Sequence, residues 1–333
     1  MKSPIDAAIN LGRFYGRALD RPVVYTQGVA LSGRLRLDAL VNKSPGKTAQ
    51  EITELVEPYV ATEPDEIGAG LFTSSDGTAN YAGLCWADEL AIATGDARYV
   101  ELIRFAADLF GPTVAKGPLD PDVRVEDFFF AATMLGRAFK STGDEFYSNL
   151  LVEFLTAEDT VETLQPNGLW WHCKSSPYFW GRGNAFAALG FAEALTYLPE
   201  DHPARPTLLS THLRHLEGLS NHQDTSGMWR QVVDLPDTYL EHSATSMIGY
   251  AIARGIRMGW LGDRWREPLD RAWGGASDRI GDDGSIEHVC GGTGPQPDLD
   301  SYINRPYSDG LDDRGGAMAL WFAVEMARLE AGV

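Results

Sequence analysis

Asp127 heads the stretch VRVEDFFFAATM, with three phenylalanines directly behind it. A carboxyl packed among aromatic rings loses solvation, so its pKa rises and it can hold a proton near neutral pH as a general acid. Aspartate is also a favoured cap for the free amides of a first helical turn, and the sequence is compatible with both readings. Asp76 and Asn80 take the corresponding place in SSDGTANYAGL, where Asp-Gly alone describes a turn. Paired carboxylates at neighbouring positions are what glycoside-cleaving sites use.

A second group surrounds SSPYFWGRGNAFAAL, where Arg182 lies between glycines two residues after Trp180. Trp170, Trp171, Trp180 and Trp229 fall within sixty residues, with His172, Tyr178 and Phe179 among them. Each aromatic alone reads equally as core. Together, at loop-to-helix junctions beside a cation, they suggest a sugar-stacking wall with a carboxylate clamp. His242 opens EHSATSMIGYAIARGIRMG and is a candidate polar contact or a satisfied structural histidine. His212 and His215 lack acidic or cysteine partners, so a solvated helix face is expected there and no metal site. Cys85, Cys173 and Cys290 are scattered and are expected to be buried small hydrophobes. No strand is expected before CGGTGPQP and its two prolines oppose a helix after it, so it reads as a tight loop near the last inner helix, with no dinucleotide fingerprint.

The elements that must carry these residues are helical. ARYVELIRFAADLF has one wet face, as an outer helix should. DFFFAATMLGRAFK, YAGLCWADELAIA and GGAMALWFAVEMA are apolar nearly all round and belong where both flanks are covered. The two types alternate, and TGD recurs at Thr94–Asp96 and Thr142–Asp144. Inner helices starting near Gly28, Asp76, Asp127, Arg182, His242 and Arg314 imply six helical hairpins, each long enough for two helices. The expected architecture is all-α: one domain over residues 1–333, closed into a double ring of helices, an (α/α)6 barrel. Inner-helix N-termini would then converge on one face, where their partial positive charge favours an anionic ligand.

Composition agrees with a soluble globular chain: 44% of its 333 residues are hydrophobic and 23% charged. A formal net charge of −19 disfavours nucleic acid and anionic membranes as partners. The N-terminal stretch MKSPIDAAINLGRFYG has no apolar signal core, and no run is long enough to span a bilayer, so a cytoplasmic location is expected. The sequence is silent on oligomeric state.

VEDFFFAATMLGRAFKSTGDEFY, SPYFWGRGNAFAALGFAEALTYLPEDHPAR, GMWRQVVDLPDTYLEHSATSMIGYAIARGIRMGWL, VCGGTG and YINRPYSDG together resemble the unsaturated rhamnogalacturonyl and glucuronyl hydrolases, in order from about Asp76 onward. The resemblance implies an (α/α)6 barrel that removes a 4,5-unsaturated uronic acid from the non-reducing end of lyase-generated oligosaccharides. It implies hydration of the C4=C5 double bond, with no metal or organic cofactor. It places the catalytic aspartate on Asp127, the active-site histidine on His172 and the motif arginine on Arg182, beside Trp180 and Asn184. Asp76 and Asn80 fall near another polar site, Asp76 and His172 are expected to assist with water or substrate, and Trp171, Trp229 and His242 are expected as further sugar contacts. The expected partner is an oligosaccharide carrying a uronic acid. Family members commonly read Arg-Gly-Asn-Gly-Trp where this chain has Ala185 and Phe186, and threonine where it has His242. A glucuronidase acting on saturated substrates, or a non-catalytic sugar-binding barrel, is the alternative.

Overall fold

The computed structural model describes residues 2–20, 22–41, 46–60, 68, 71–73, 76–111 and 120–333. Its helices are α1 (Pro4–Leu11), α2 (Tyr25–Val41), α3 (Lys47–Val56), α4 (Thr78–Tyr81), α5 (Ala87–Thr94), α6 (Arg98–Asp108), α7 (Glu126–Thr142) and α8 (Glu145–Thr156). They continue with α9 (Glu158–Val161), α10 (Gly181–Tyr197), α11 (Arg205–Ser220), α12 (His242–Arg257), α13 (Arg266–Ser277), α14 (Leu299–Ile303) and α15 (Asp313–Ala331). Two small antiparallel hairpins, β1 (Trp229–Arg230) with β2 (Leu240–Glu241) and β3 (Ile286–Cys290) with β4 (Tyr307–Gly310), lie in the connections.

The long apolar segments form an inner ring of α2, the interrupted pair α4 and α5, α7, α10, α12 and α15. The ring closes because α15 packs on both α12 and α2. Five outer helices, α3, α6, α8, α11 and α13, each follow and pack on their inner partner. The sixth outer helix is α1, which packs on α15 from the other end of the sequence. This is the (α/α)6 barrel, with its last hairpin built from two distant segments.

Local chemistry sets the boundaries. In both TGD stretches the glycine adopts a left-handed conformation that ends an inner helix, at Gly95 (φ 74°) and Gly143 (φ 72°). The aspartate then starts the next outer helix: Asp144 accepts from Phe146 N, and Asp96 from Arg98 N. Close approach between inner helices depends on Gly190 of α10, where a Cβ would lie 2.5 Å from the Phe128 backbone of α7.

Toward the C-terminal ends of the inner helices the apolar interior is interrupted by a layer of buried charge. Arg36, Glu89, Arg137, Glu193, Arg254 and Glu325 come one from each inner segment, each 11 or 12 residues from its start. Arg36 pairs with Glu89 at 2.7 Å, and Arg137 pairs with Asp88, Glu89 and, at 3.7 Å, Glu193. Arg254 reaches Glu193 at 3.9 Å and Glu325 at 2.8 Å, and Arg36 closes the circuit 4.3 Å above the Trp321 ring of α15. Buried pairs of this kind gain little net stability, but removing one partner strands the other. At a rise of about 1.5 Å per residue the layer lies roughly 17 Å below the inner-helix N-termini.

Candidate active site

A cavity of about 650 Å³ opens at the N-terminal ends of the inner helices. Five of the six starts reach it: Tyr25 of α2, Thr78 of α4, Glu126 and Asp127 of α7, Arg182 of α10, and Asp313 and Arg314 of α15. Gly292 and Thr293, in the loop after β3, line it as well. That loop is tied to the start of α12: Cys290 N donates to Glu241, which also caps α12 through Ser243 N and Ala244 N. The first residue of α12 is thereby shut away from the cavity.

Asp127 is 4% exposed, with Phe128, Phe129 and Phe130 behind it on the same helix. Its carboxyl accepts from the Thr78 hydroxyl at 2.5 Å and from Asp120 N at 3.4 Å. Burial disfavours the charged form, the Thr78 hydrogen bond opposes that, and the neighbouring Glu126 charge reinforces it. The balance pushes the Asp127 carboxyl up to about 7. A group so poised can donate a proton at neutral pH and take one back.

Arg182 is 2% exposed and stacks 5.0 Å from the Trp180 ring. Its guanidinium donates to the carbonyls of Cys290 (2.6 Å) and Gly291 (2.8 Å) and to the Ser243 hydroxyl (3.3 Å). No carboxylate among the described residues lies within ion-pair distance of it. Neutral carbonyls orient the group, and Glu241, which accepts from the same Ser243 hydroxyl, offsets part of its charge without pairing with it directly, so the remainder is available to an anion in the cavity. Arg314 is also present but forms a forked pair with Asp312, at 3.0 Å and 2.5 Å.

His172 is fully buried under Trp180, its ring 4.6 Å from the indole. Its Nε2 hydrogen-bonds Glu126 at 3.0 Å and its Nδ1 meets the Tyr302 hydroxyl. It is absent from the cavity lining and reaches the site through Glu126.

Asp76 does not line the cavity. Its carboxylate folds back to accept from Thr73 N at 2.7 Å, three residues before it, and Thr78 faces the site instead. Asn80 caps α4 through Gly77 N and donates to Val23 O. Asn184 binds Trp170 N, Trp170 O and Trp180 O, fixing the loop that carries the aromatics. Trp229 is core, with its indole N–H on Leu219 O, and the half-buried Trp171 does not line the cavity, its backbone N–H pairing with Thr163 O. His242 is fully buried, in contact with Ala276 O and Ser246, and burial lowers its pKa to about 4 although the Ala276 hydrogen bond opposes this. The expected aromatic wall is therefore reduced to Trp180, joined by Phe130, Phe186 and Tyr25. Phe186 packs edge-on to Tyr25 at 5.5 Å and to Phe130 at 5.3 Å.

His212 and His215 correct a further expectation: both are fully buried on the inner face of α11. His215 bridges Gly168 O and Asn184 O, and His212 stacks on Phe191. The three cysteines are free and buried. Tyr25, Thr78, Glu126 and Arg314 were not singled out in the sequence as site residues, although each stands at or beside the start of an inner segment.

The model of glycosyl hydrolase family 88 matches residues 17–330, and the chain belongs to that family. It is 26% identical over 259 residues to the unsaturated rhamnogalacturonyl hydrolase YesR of Bacillus subtilis (strain 168), covering 71% of this chain and 72% of that one. It is 24% identical over 264 residues to an unsaturated 3S-rhamnoglycuronyl hydrolase of Alteromonas sp. (strain LOR), covering 75% and 57%. In fold it matches a family 105 glycoside hydrolase of C. acetobutylicum with a TM-score of 0.82 at 20% identity, over 98% and 99% of the two chains. The unsaturated glucuronyl hydrolase of Bacillus sp. GL1 matches with a TM-score of 0.70 at 16% identity, over 99% and 97%. The protein is a glycoside hydrolase.

Proposed function

We propose that this hydrolase removes a 4,5-unsaturated uronic acid from the non-reducing end of an oligosaccharide by hydrating its C4=C5 bond, with Asp127 as general acid and base. The observation that carries the reading is the buried Asp127 carboxyl, held near a pKa of 7 at the wall of a cavity that also presents Arg182, a guanidinium in no direct ion pair. Arg182 binds the uronate carboxylate while Trp180 supports the arginine. The protonated Asp127 delivers its proton to C4. Positive charge develops at C5, stabilised by the ring oxygen, and water adds there while the Asp127 carboxylate accepts its proton. The product is a hemiketal at C5. Breaking its C5–ring oxygen bond leaves a ketone at C5 and a hemiacetal at C1, and collapse of that hemiacetal frees the rest of the sugar. The reaction is balanced by one water per bond cleaved and needs no group beyond those in the cavity. Likeness to enzymes named for unsaturated rhamnogalacturonyl and glucuronyl substrates supports the same class here.

The test is to mix purified protein with lyase digests of several polyuronides and follow the ultraviolet absorbance of the conjugated double bond. The expected result is a loss of absorbance matched by newly freed reducing ends. No loss on any digest, or turnover confined to saturated glucuronides, overturns the reading.

A further inference from the structure

Glu126 lines the cavity with its two carboxylate oxygens treated differently by the fold. Oε1 accepts from His172 Nε2, and the Tyr302 hydroxyl seats the other ring nitrogen of that histidine. Tyr302 is itself fixed, because its hydroxyl accepts from Gln296 N at 3.2 Å. Oε2 is buried and has no hydrogen-bond partner among the described residues. A buried carboxylate oxygen without a donor is unusual, because it has lost water and gained nothing in exchange. The residue lines the cavity beside Asp127 and its side chain is 13% exposed, so a small turn of the carboxylate toward the cavity lets a bound ligand supply the missing donor.

We propose that Glu126 is a substrate-contacting residue, seated by the His172–Tyr302 pair, whose free oxygen accepts a hydrogen bond from a ring hydroxyl of the terminal uronyl residue. The inference rests on the substrate class proposed above. A 4,5-unsaturated uronyl ring has hydroxyls at C2 and C3 only, because C4 is vinylic and the C5 carboxylate is an acceptor. Glu126 therefore selects for a terminal sugar with at least one of these hydroxyls unsubstituted. His172 and Tyr302 are positioning residues that act through it.

Binding of an unsaturated disaccharide that the wild type turns over is measured by calorimetry in the Asp127→Asn background, where it is not consumed. Glu126→Ala is expected to weaken binding at least tenfold, as loss of a charge-assisted hydrogen bond should. Glu126→Gln, which preserves shape, should do so by a smaller factor. Tyr302→Phe should weaken binding when Glu126 is present and add nothing once it is alanine, a coupling that a merely structural tyrosine would not show. Melting curves establish that each variant is folded. Affinity within twofold of the background in both Glu126 variants, or independent effects of Tyr302 and Glu126, overturns the inference. If the wild type turns over no unsaturated substrate, the functional reading fails first and this contact falls with it.

Discussion

Asp127→Asn separates what the site does from what it takes to keep that site folded. The carboxyl has its pKa raised from 3.8 to about 7, chiefly by burial. Between those values the folded chain holds a proton that the unfolded chain has released, so stability falls as pH rises through this window. Each factor of ten in the proton equilibrium is worth about 1.4 kcal/mol, so the ionised carboxylate destabilises the fold by roughly 4 kcal/mol at pH 8. Asparagine keeps the shape and the bond from Thr78 but carries no charge to desolvate. The variant should therefore melt well above the wild type at pH 8, and the gap should narrow steadily toward pH 4. Its turnover should drop by about 100- to 10,000-fold, the usual contribution of a positioned acid. Paired melting curves across pH 4–8, alongside the absorbance assay, provide both readouts. An asparagine variant no more stable than wild type at pH 8, or a gap that does not change with pH, would refute the assignment of a buried, proton-holding Asp127.

Thr78→Val removes the hydroxyl that favours the charged form of Asp127, so the alkaline limb of the kcat/KM profile should move up from near pH 7 by about one to two pH units, while Thr78→Ser should leave it in place. A limb that stays put or moves down counts against the Thr78–Asp127 bond as a regulator of acidity. Gly190→Ala places a methyl against the Phe128 backbone and should destabilise the fold by about 3 kcal/mol, read as a lowered midpoint in denaturant. Glu325→Gln leaves Arg254 and Arg257 without their shared carboxylate and should destabilise by about 3–5 kcal/mol, with a smaller effect expected from any exposed pair such as Arg264–Glu217.

The inner ring was legible because helices buried on all sides carry almost no polar residues, and their starts can be read from where that run begins. Those starts were placed within a few residues of the observed ones, His242 on the observed first residue. The cavity lining was legible where a polar residue both began such a helix and faced inward, as with Asp127 and Arg182. Asp76 and Asn80 do not line the cavity because their side chains turn back to backbone amides of Thr73 and Gly77, leaving Thr78, a less conspicuous residue, to face it. His212 and His215 misled although the signal was present: with Leu208 and Leu219 they form a stripe at helical spacing, which assigns them to the buried face. Trp170 and Trp229 carry no mark of their fate in their immediate neighbours, since a ring on the following helix and a carbonyl ten residues back decide it. The charged layer was overlooked because single charges inside apolar helices look like noise until their common depth is known.

The pairing of α1 with α15 has a consequence for how the molecule comes into being. A ribosome finishes Leu11 about 300 residues before it adds Asp313, a delay of roughly 15–60 s at ordinary rates of synthesis. Throughout that interval the inward face of α1, with Ala7, Ala8 and Leu11, has no final partner. Asp313 and Arg314 also belong to the cavity wall, so the same late helix that closes the ring completes the site. A nascent chain stalled before residue 313 carries its acid, its arginine and its tryptophan, yet has no finished chamber in which to use them.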